Sequence, residues 1–168
     1  FPYLSDMLRT RIDSFVSKIP SLDENILTVT VNSFSYKKAL PEDFSGNGGG
    51  FVFDCRALPN PGRYEQYKTK TGTDPEVIQF LEKESRVHEF IDNTKKLLAA
   101  SIENYLQRHF EHLMVSFGCT GGQHRSVYCA VKISNWIREN YNVNLLTTHY
   151  ETGGGTRDKN HVQEEERK

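Results

Sequence analysis

The chain has 168 residues, 36% of them hydrophobic and 26% charged, with a formal net charge of −1 at pH 7. That length accommodates one core rather than two comfortable domains, and the balanced charge gives no global attraction to nucleic acid, leaving a local patch as the only route to RNA. No apolar run approaches the roughly 18 residues of a membrane span, and the first residues are not a signal peptide, so no membrane is expected as a partner.

The sequence opens at Phe1 without Met and reads as a piece of a longer protein. Leu4, Met7, Leu8, Ile12, Phe15 and Val16 recur at helical spacing, predicting an amphipathic linker or packing helix over 3–18 that ends before Pro20. Residues 1–22 are set apart on that basis from a folded domain over 23–151. Ile26 to Phe34 is rich in β-branched residues and reads as a first strand, and Phe51 to Arg56 as a second, with a glycine-rich loop before it. The prolines and glycine of Leu58-Pro59-Asn60-Pro61-Gly62 force an irregular turn, so loop is expected to Gly72.

Asp74-Pro75-Glu76 has the order of an N-cap followed by Pro at the first helical position, opening a short helix through Leu81. Apolar residues at 87, 90, 91, 97, 98, 102 and 105, with Thr94 in the same register, predict a long helix with one buried face. Leu113 to Phe117 reads as a third strand, Val127 to Trp136 as a helix, and Asn142 to Thr148 as a last, parallel strand. Strands alternating with helices imply an α/β domain with a mostly parallel sheet and helices on both faces, its ligand expected outside the carboxyl ends of the strands. From Thr152 onward, three glycines and a mixed-charge run have almost nothing apolar to bury, and 152–168 is read as a disordered tail.

Cys55, Cys119 and Cys129 are an odd, sparse set without metal-type spacing, which argues for a reducing compartment, by default the cytoplasm. Neither a metal site nor a Walker loop is visible, and no cofactor is expected.

The strongest chemical signal is Leu113 to Arg125, where a strand runs into a loop with two adjacent glycines and a helix starts directly after it. Successive amides there can converge on an anion, the helix amino terminus adds partial positive charge, and Arg125 offers a planar fork for phosphate. Gly121 and Gly122 let the backbone approach the ligand without a Cβ in the way. The spacing from Cys119 to Arg125-Ser126 also fits cysteine-dependent phosphatases, a rival reading with Cys119, Arg125 and Asp54 as the catalytic set. Against it, Gly118 stands where those phosphatases usually place His, and Cys119 could equally close the strand as a small hydrophobe.

Asp54 and Arg56 form a second cluster at a strand's carboxyl end, suited to a ligand hydroxyl, amine or phosphate, or to satisfying each other. His124 could donate to a phosphate oxygen or cap the loop. His88, Lys37 and Lys38 read as solvated surface, and Phe34, Tyr36, Phe51 and Phe53 as core rather than a base-stacking platform.

Phe53-Asp54-Cys55-Arg56-Ala57-Leu58-Pro59-Asn60-Pro61, Thr71-Gly72-Thr73-Asp74, Val87-His88-Glu89-Phe90 and Gly118 to Tyr128 together resemble the carboxy-terminal domain of the RapZ family, over about residues 26–150 and in the same order. The resemblance implies a non-enzymatic sensor or adapter domain that binds an amino-sugar phosphate, glucosamine-6-phosphate. In enteric members the domain also binds small regulatory RNA and presents it to an endoribonuclease. It implies too an upstream nucleotide-binding or kinase-like domain missing from this chain, while oligomeric state, including a homo-oligomer, stays open.

The candidate ligand set is Asp54, Arg56, Asn60, Cys119, Thr120, Gly121, Gly122, His124, Arg125 and Ser126, with Gly121, Gly122, His124 and Arg125 on the phosphate and Asp54 on the amino-sugar end. Three departures stand out: Gly62 where the family often has His, Gln123 where it often has Lys, and a tail in which basic residues alternate with acidic ones. Counterion release needs clustered cations, of which this tail has little surplus.

Overall fold

A computed structural model of the chain describes residues 26–159 and 162–163, with side chains up to Gly154. The helix expected over 3–18 lies outside the described residues. Four parallel strands form the centre of the sheet: β1 (Thr28–Ser35), β2 (Gly50–Asp54), β3 (His112–Cys119) and β4 (Asn144–His149). Two short antiparallel strands, β5 (Gly155–Lys159) and β6 (Val162–Gln163), extend one edge, giving the order β2-β3-β1-β4-β5-β6.

The register explains the sequence. β1 is flanked on both sides, with Val29 opposite Leu113 and Leu145 and Ser35 opposite Cys119, and only a β-branched run without charges suits such a central strand. Val29, Val31, Leu113, Val115, Phe117 and Leu145 share one face and belong to the single buried core.

Three helices contribute to that same core: α1 (Pro75–Glu82), α2 (Ser85–Gln107) and α3 (Arg125–Asn140). The expectation of an α/β domain with a mostly parallel sheet is met. Among the described residues, however, all three helices bury their side chains with the Val29–Val31 face. Phe34 and Met114, which alternate to the opposite face, are buried apart from that core.

Local chemistry sets the element ends. Asp74 stands at the N-cap of α1 with extended backbone, but its carboxylate accepts from the Thr71 amide at 2.6 Å instead of capping the helix. α2 buries Val87, Ile91, Thr94, Leu98 and Ile102, whereas Leu97 is exposed. Within 60–72 the expected loop contains two 3₁₀ turns, Pro61–Arg63 and Glu65–Tyr67, the first capped by Asn60, whose Oδ1 accepts from the Gly62 amide at 3.0 Å.

α3 begins at Arg125 rather than Val127 because Arg125 and Ser126, polar and so invisible to an apolar period, are buried in its first turn. The backbone of 155–159 departs from the reading of 152–168 as a tail without structure. It pairs with β4, Leu146 opposite Arg157 and Thr148 opposite Gly155, and such a strand is held by main-chain bonds that need no apolar side chains. Because β1 to β4 run parallel, Ser35, Asp54, Cys119 and His149 all end at one rim of the sheet.

Candidate functional site

The site is built where β3 turns into α3. Cys119 is the last residue of the strand, and residues 120–124 form the turn before Arg125. Gly122 adopts φ +68°, and a Cβ there would stand 2.9 Å from the Ser35 amide and 2.4 Å from Glu151 Cγ, so glycine is required both by conformation and by contact. Gly121 meets nothing within 4 Å and faces open space. The Thr120 carbonyl is held by Ser35 Oγ at 2.6 Å. Among the described residues, no main-chain carbonyl accepts from the amides of 120–127; those of Gly122 and Ser126 serve the Cys119 thiol, and the others are donors of the kind that binds anions.

Cys119 Sγ lies 3.2 Å from Ser126 Oγ and the thiol is buried. Burial pushes this thiol up, but the Ser126 hydroxyl and amide, the Gly122 amide and the charge of Arg125 outweigh it, leaving the group below its ordinary value. Cys55, by contrast, is driven well up by burial and by neighbouring Cys129. Gly118 is explained by packing: a Cβ there would fall 2.4 Å from the Tyr36 ring and 2.5 Å from the Phe34 ring, so no histidine fits before the cysteine.

Three successive side chains bind the turn to the chain segment facing it. Gln123 Nε2 donates to the carbonyl oxygens of Lys68 and Lys70 at 2.8 and 2.5 Å, and the Gln123 carbonyl accepts from the Gly72 amide at 2.9 Å. His124 Nε2 lies 2.8 Å from the Tyr67 carbonyl oxygen. Arg125 NH1 donates to the carbonyls of Arg56 and Leu58 at 2.8 and 3.1 Å, while NH2 lies 3.4 Å from Thr120 Oγ1. The Arg125 Nε is buried without a hydrogen-bond partner, and an orphaned donor of this kind calls for an explanation.

Between the turn and that segment lies a cavity of about 410 Å³ lined by Asn60, Gly62, Lys68, Cys119, Thr120, Gly121, Gln123, His124 and Arg125. The lining holds two formal positive charges and no carboxylate. Of the residues expected from sequence, Asn60, Cys119, Thr120, Gly121, His124 and Arg125 meet here. Gly122 and Ser126 stand behind them and hold the thiol.

Asp54 and Arg56 do not line the cavity. They form a bidentate pair, Arg56 Nε and NH2 at 2.9 and 2.7 Å from the carboxylate, and the guanidinium lies 3.9 Å from the centre of the Tyr36 ring. Hydrogen bonding from Arg56 holds the Asp54 carboxyl below its ordinary range, with a smaller contribution from the charge of Arg125.

Sequence reasoning missed Lys68 as a wall residue and noted Gly62 and Gln123 only as departures. A lysine in a polar loop carries no periodic signal, and only the fold brings it opposite the turn. Lys38 pairs with Glu151 at 2.6 Å, His88 Nε2 lies 2.7 Å from the Glu82 carbonyl oxygen, and Phe53 stacks on Phe117, as surface and core residues do.

A family model for the RapZ C-terminal domain matches residues 27–152. The chain belongs to that family. The RapZ match starts one residue before β1 and ends just beyond β4, so the turn and the segment opposite it both lie inside.

Similar proteins include a nucleotide-binding protein of Methylococcus capsulatus, 36% identical over 148 residues, 88% of this chain and 46% of that protein. The RNase adapter protein RapZ of Yersinia enterocolitica is 37% identical over 135 residues, 80% of this chain and 44% of that protein. The chain therefore spans about half the length of the curated relatives it matches. Among the described residues no helix is long and apolar enough to cross a membrane, and no three His, Cys, Asp or Glu side chains group as a metal site.

Proposed function

We propose that this RapZ-type domain is a non-enzymatic sensor that binds a small phosphorylated ligand, an amino-sugar phosphate such as glucosamine-6-phosphate, in the cavity beside Gly121. The observation that carries the reading is a turn whose amides at 120–127 have no main-chain acceptor, those of Gly122 and Ser126 serving the Cys119 thiol, around an open cavity whose lining bears Arg125 and Lys68 and no carboxylate. A phosphate dianion bound there accepts from the turn amides and from Thr120, and each charge-assisted bond contributes roughly 1.5–3 kcal/mol. Asp54, at the neighbouring strand end and outside the cavity lining, is assigned to the ligand's amine, which it meets by giving up part of its pairing with the exposed Arg56.

Isothermal titration tests this: glucosamine-6-phosphate binds without turnover and glucosamine does not. Equal, weak heats from both would remove the phosphate-site claim.

Relatives of this chain are named RNase adapter proteins, and we extend the proposal to that role, with the ligand controlling presentation of a small RNA to an endoribonuclease in a full-length protein that also carries a nucleotide-binding domain. Gel shifts with a small regulatory RNA over a series of salt concentrations test it, because phosphate contacts must weaken as salt rises. Retardation indifferent to salt counts against it.

The lowered thiol of Cys119 favours one second reading, a cysteine-dependent phosphatase. It requires turnover of a generic aryl phosphate that is abolished by Cys119→Ser, and absence of turnover by the native chain disposes of it. The packing that bars histidine at 118 and the engagement of Asp54 by Arg56 weigh toward binding alone.

A further inference from the structure

We infer that Lys68 is the mobile cation of the site, its ammonium leaving Glu65 to close on the anion held by the turn. The inference rests on the phosphate-site reading above and assigns a binding role to a residue that no motif marks. Arg125, the other cation of the lining, is buried, and its NH1 is committed to the carbonyls of Arg56 and Leu58. It is a fixed post. Lys68 is the remaining lining residue that carries a formal positive charge.

The backbone of Lys68 is held firmly, whereas its exposed side chain is held only by a surface ion pair. Its carbonyl accepts from Gln123 Nε2 at 2.8 Å and its amide donates to the Glu65 carbonyl at 3.2 Å, which anchors the Cα opposite the turn. The ammonium pairs with Glu65, three residues earlier, in a bridge whose side chains are 55% and 86% exposed. Pairs that open to solvent are weak and screened by salt, so a phosphate dianion in a cavity without carboxylates outcompetes the single charge of Glu65. The four-carbon stem of lysine swings its charge as a point donor, which the forked, buried Arg125 cannot do.

The test is isothermal titration of the full chain with glucosamine-6-phosphate, with glucosamine as the uncharged-end control. Lys68→Met keeps the stem and removes the charge, and is expected to weaken glucosamine-6-phosphate about tenfold. Lys68→Arg is expected to restore binding to within about threefold, and Glu65→Gln, which releases the ammonium, to tighten it about two- to threefold. A purely structural role for Lys68 does not predict the gain from Glu65→Gln. If the native chain binds and Lys68→Met binds equally well, the Lys68 assignment is overturned while the phosphate site stands. If the native chain shows no heat with the phosphorylated sugar, the site and the assignment fall together.

Discussion

His124 Nε2 lies 2.8 Å from the carbonyl oxygen of Tyr67. A carbonyl can only accept, so Nε2 carries the hydrogen, and in the neutral ring Nδ1 is left as an acceptor. A neutral His124 thus offers the cavity a lone pair, which suits a ligand hydroxyl or amine better than a phosphate oxygen.

This separates two variants. His124→Gln retains an N–H for the Tyr67 carbonyl but loses the ring acceptor, so its stability in urea should stay within about 1 kcal/mol of the native chain while sugar-phosphate binding weakens. His124→Ala leaves the carbonyl without its donor and should cost roughly 1–3 kcal/mol. Equal stability for the two would show that the bond to Tyr67 matters little.

The two glycines of the turn should respond in opposite ways. Gly122→Ala places a Cβ at φ +68° and 2.9 Å from the Ser35 amide, and should lower stability by about 2–4 kcal/mol. Gly121→Ala meets nothing within 4 Å, so the protein should melt normally yet lose ligand affinity, because the new methyl sits in the cavity. Thermal melts beside titration calorimetry distinguish these patterns.

Asp54→Asn should leave phosphate recognition intact and erase selectivity for an amine. The measurement is the ratio of affinities for glucosamine-6-phosphate and glucose-6-phosphate, expected to favour the amine in the native chain and to approach unity in the variant. An unchanged ratio would remove Asp54 from the site and leave it as the partner of Arg56.

For Cys119 the sign of the pH dependence is fixed by its lowered thiol: the deprotonated fraction at neutral pH exceeds that of an ordinary cysteine, while Cys55, pushed up, stays protonated. Iodoacetamide should therefore label Cys119 ahead of Cys55, and labelling should reach its plateau at lower pH than for a cysteine peptide. Saturating glucosamine-6-phosphate should slow it. Mass-spectrometric mapping showing Cys55 labelled first contradicts this.

The central sheet was legible in the sequence because each strand carries its own local pattern: Thr28 to Val31 needs no partner to read as a strand. The turn was legible too, since its glycines and Arg125 are contiguous. Leu97 misled, being apolar at a helical period yet exposed, because periodicity registers polarity and not what stands opposite. Lys68 and Gln123 act across 55 residues of chain, and no local window contains that relation. The pairing of 155–159 with β4 escaped for a related reason: main-chain bonds leave no mark on side-chain composition.

The bonds from Gln123, His124 and Arg125 to main-chain oxygens between Arg56 and Lys70 have a practical consequence for protein engineering. Those three side chains were shaped for one particular opposing backbone, so the glycine turn moved by itself into a foreign sheet would arrive with three donors and nothing to grip. A transplantable receptor must carry the whole stretch from Asp54 through Ser126, helices included.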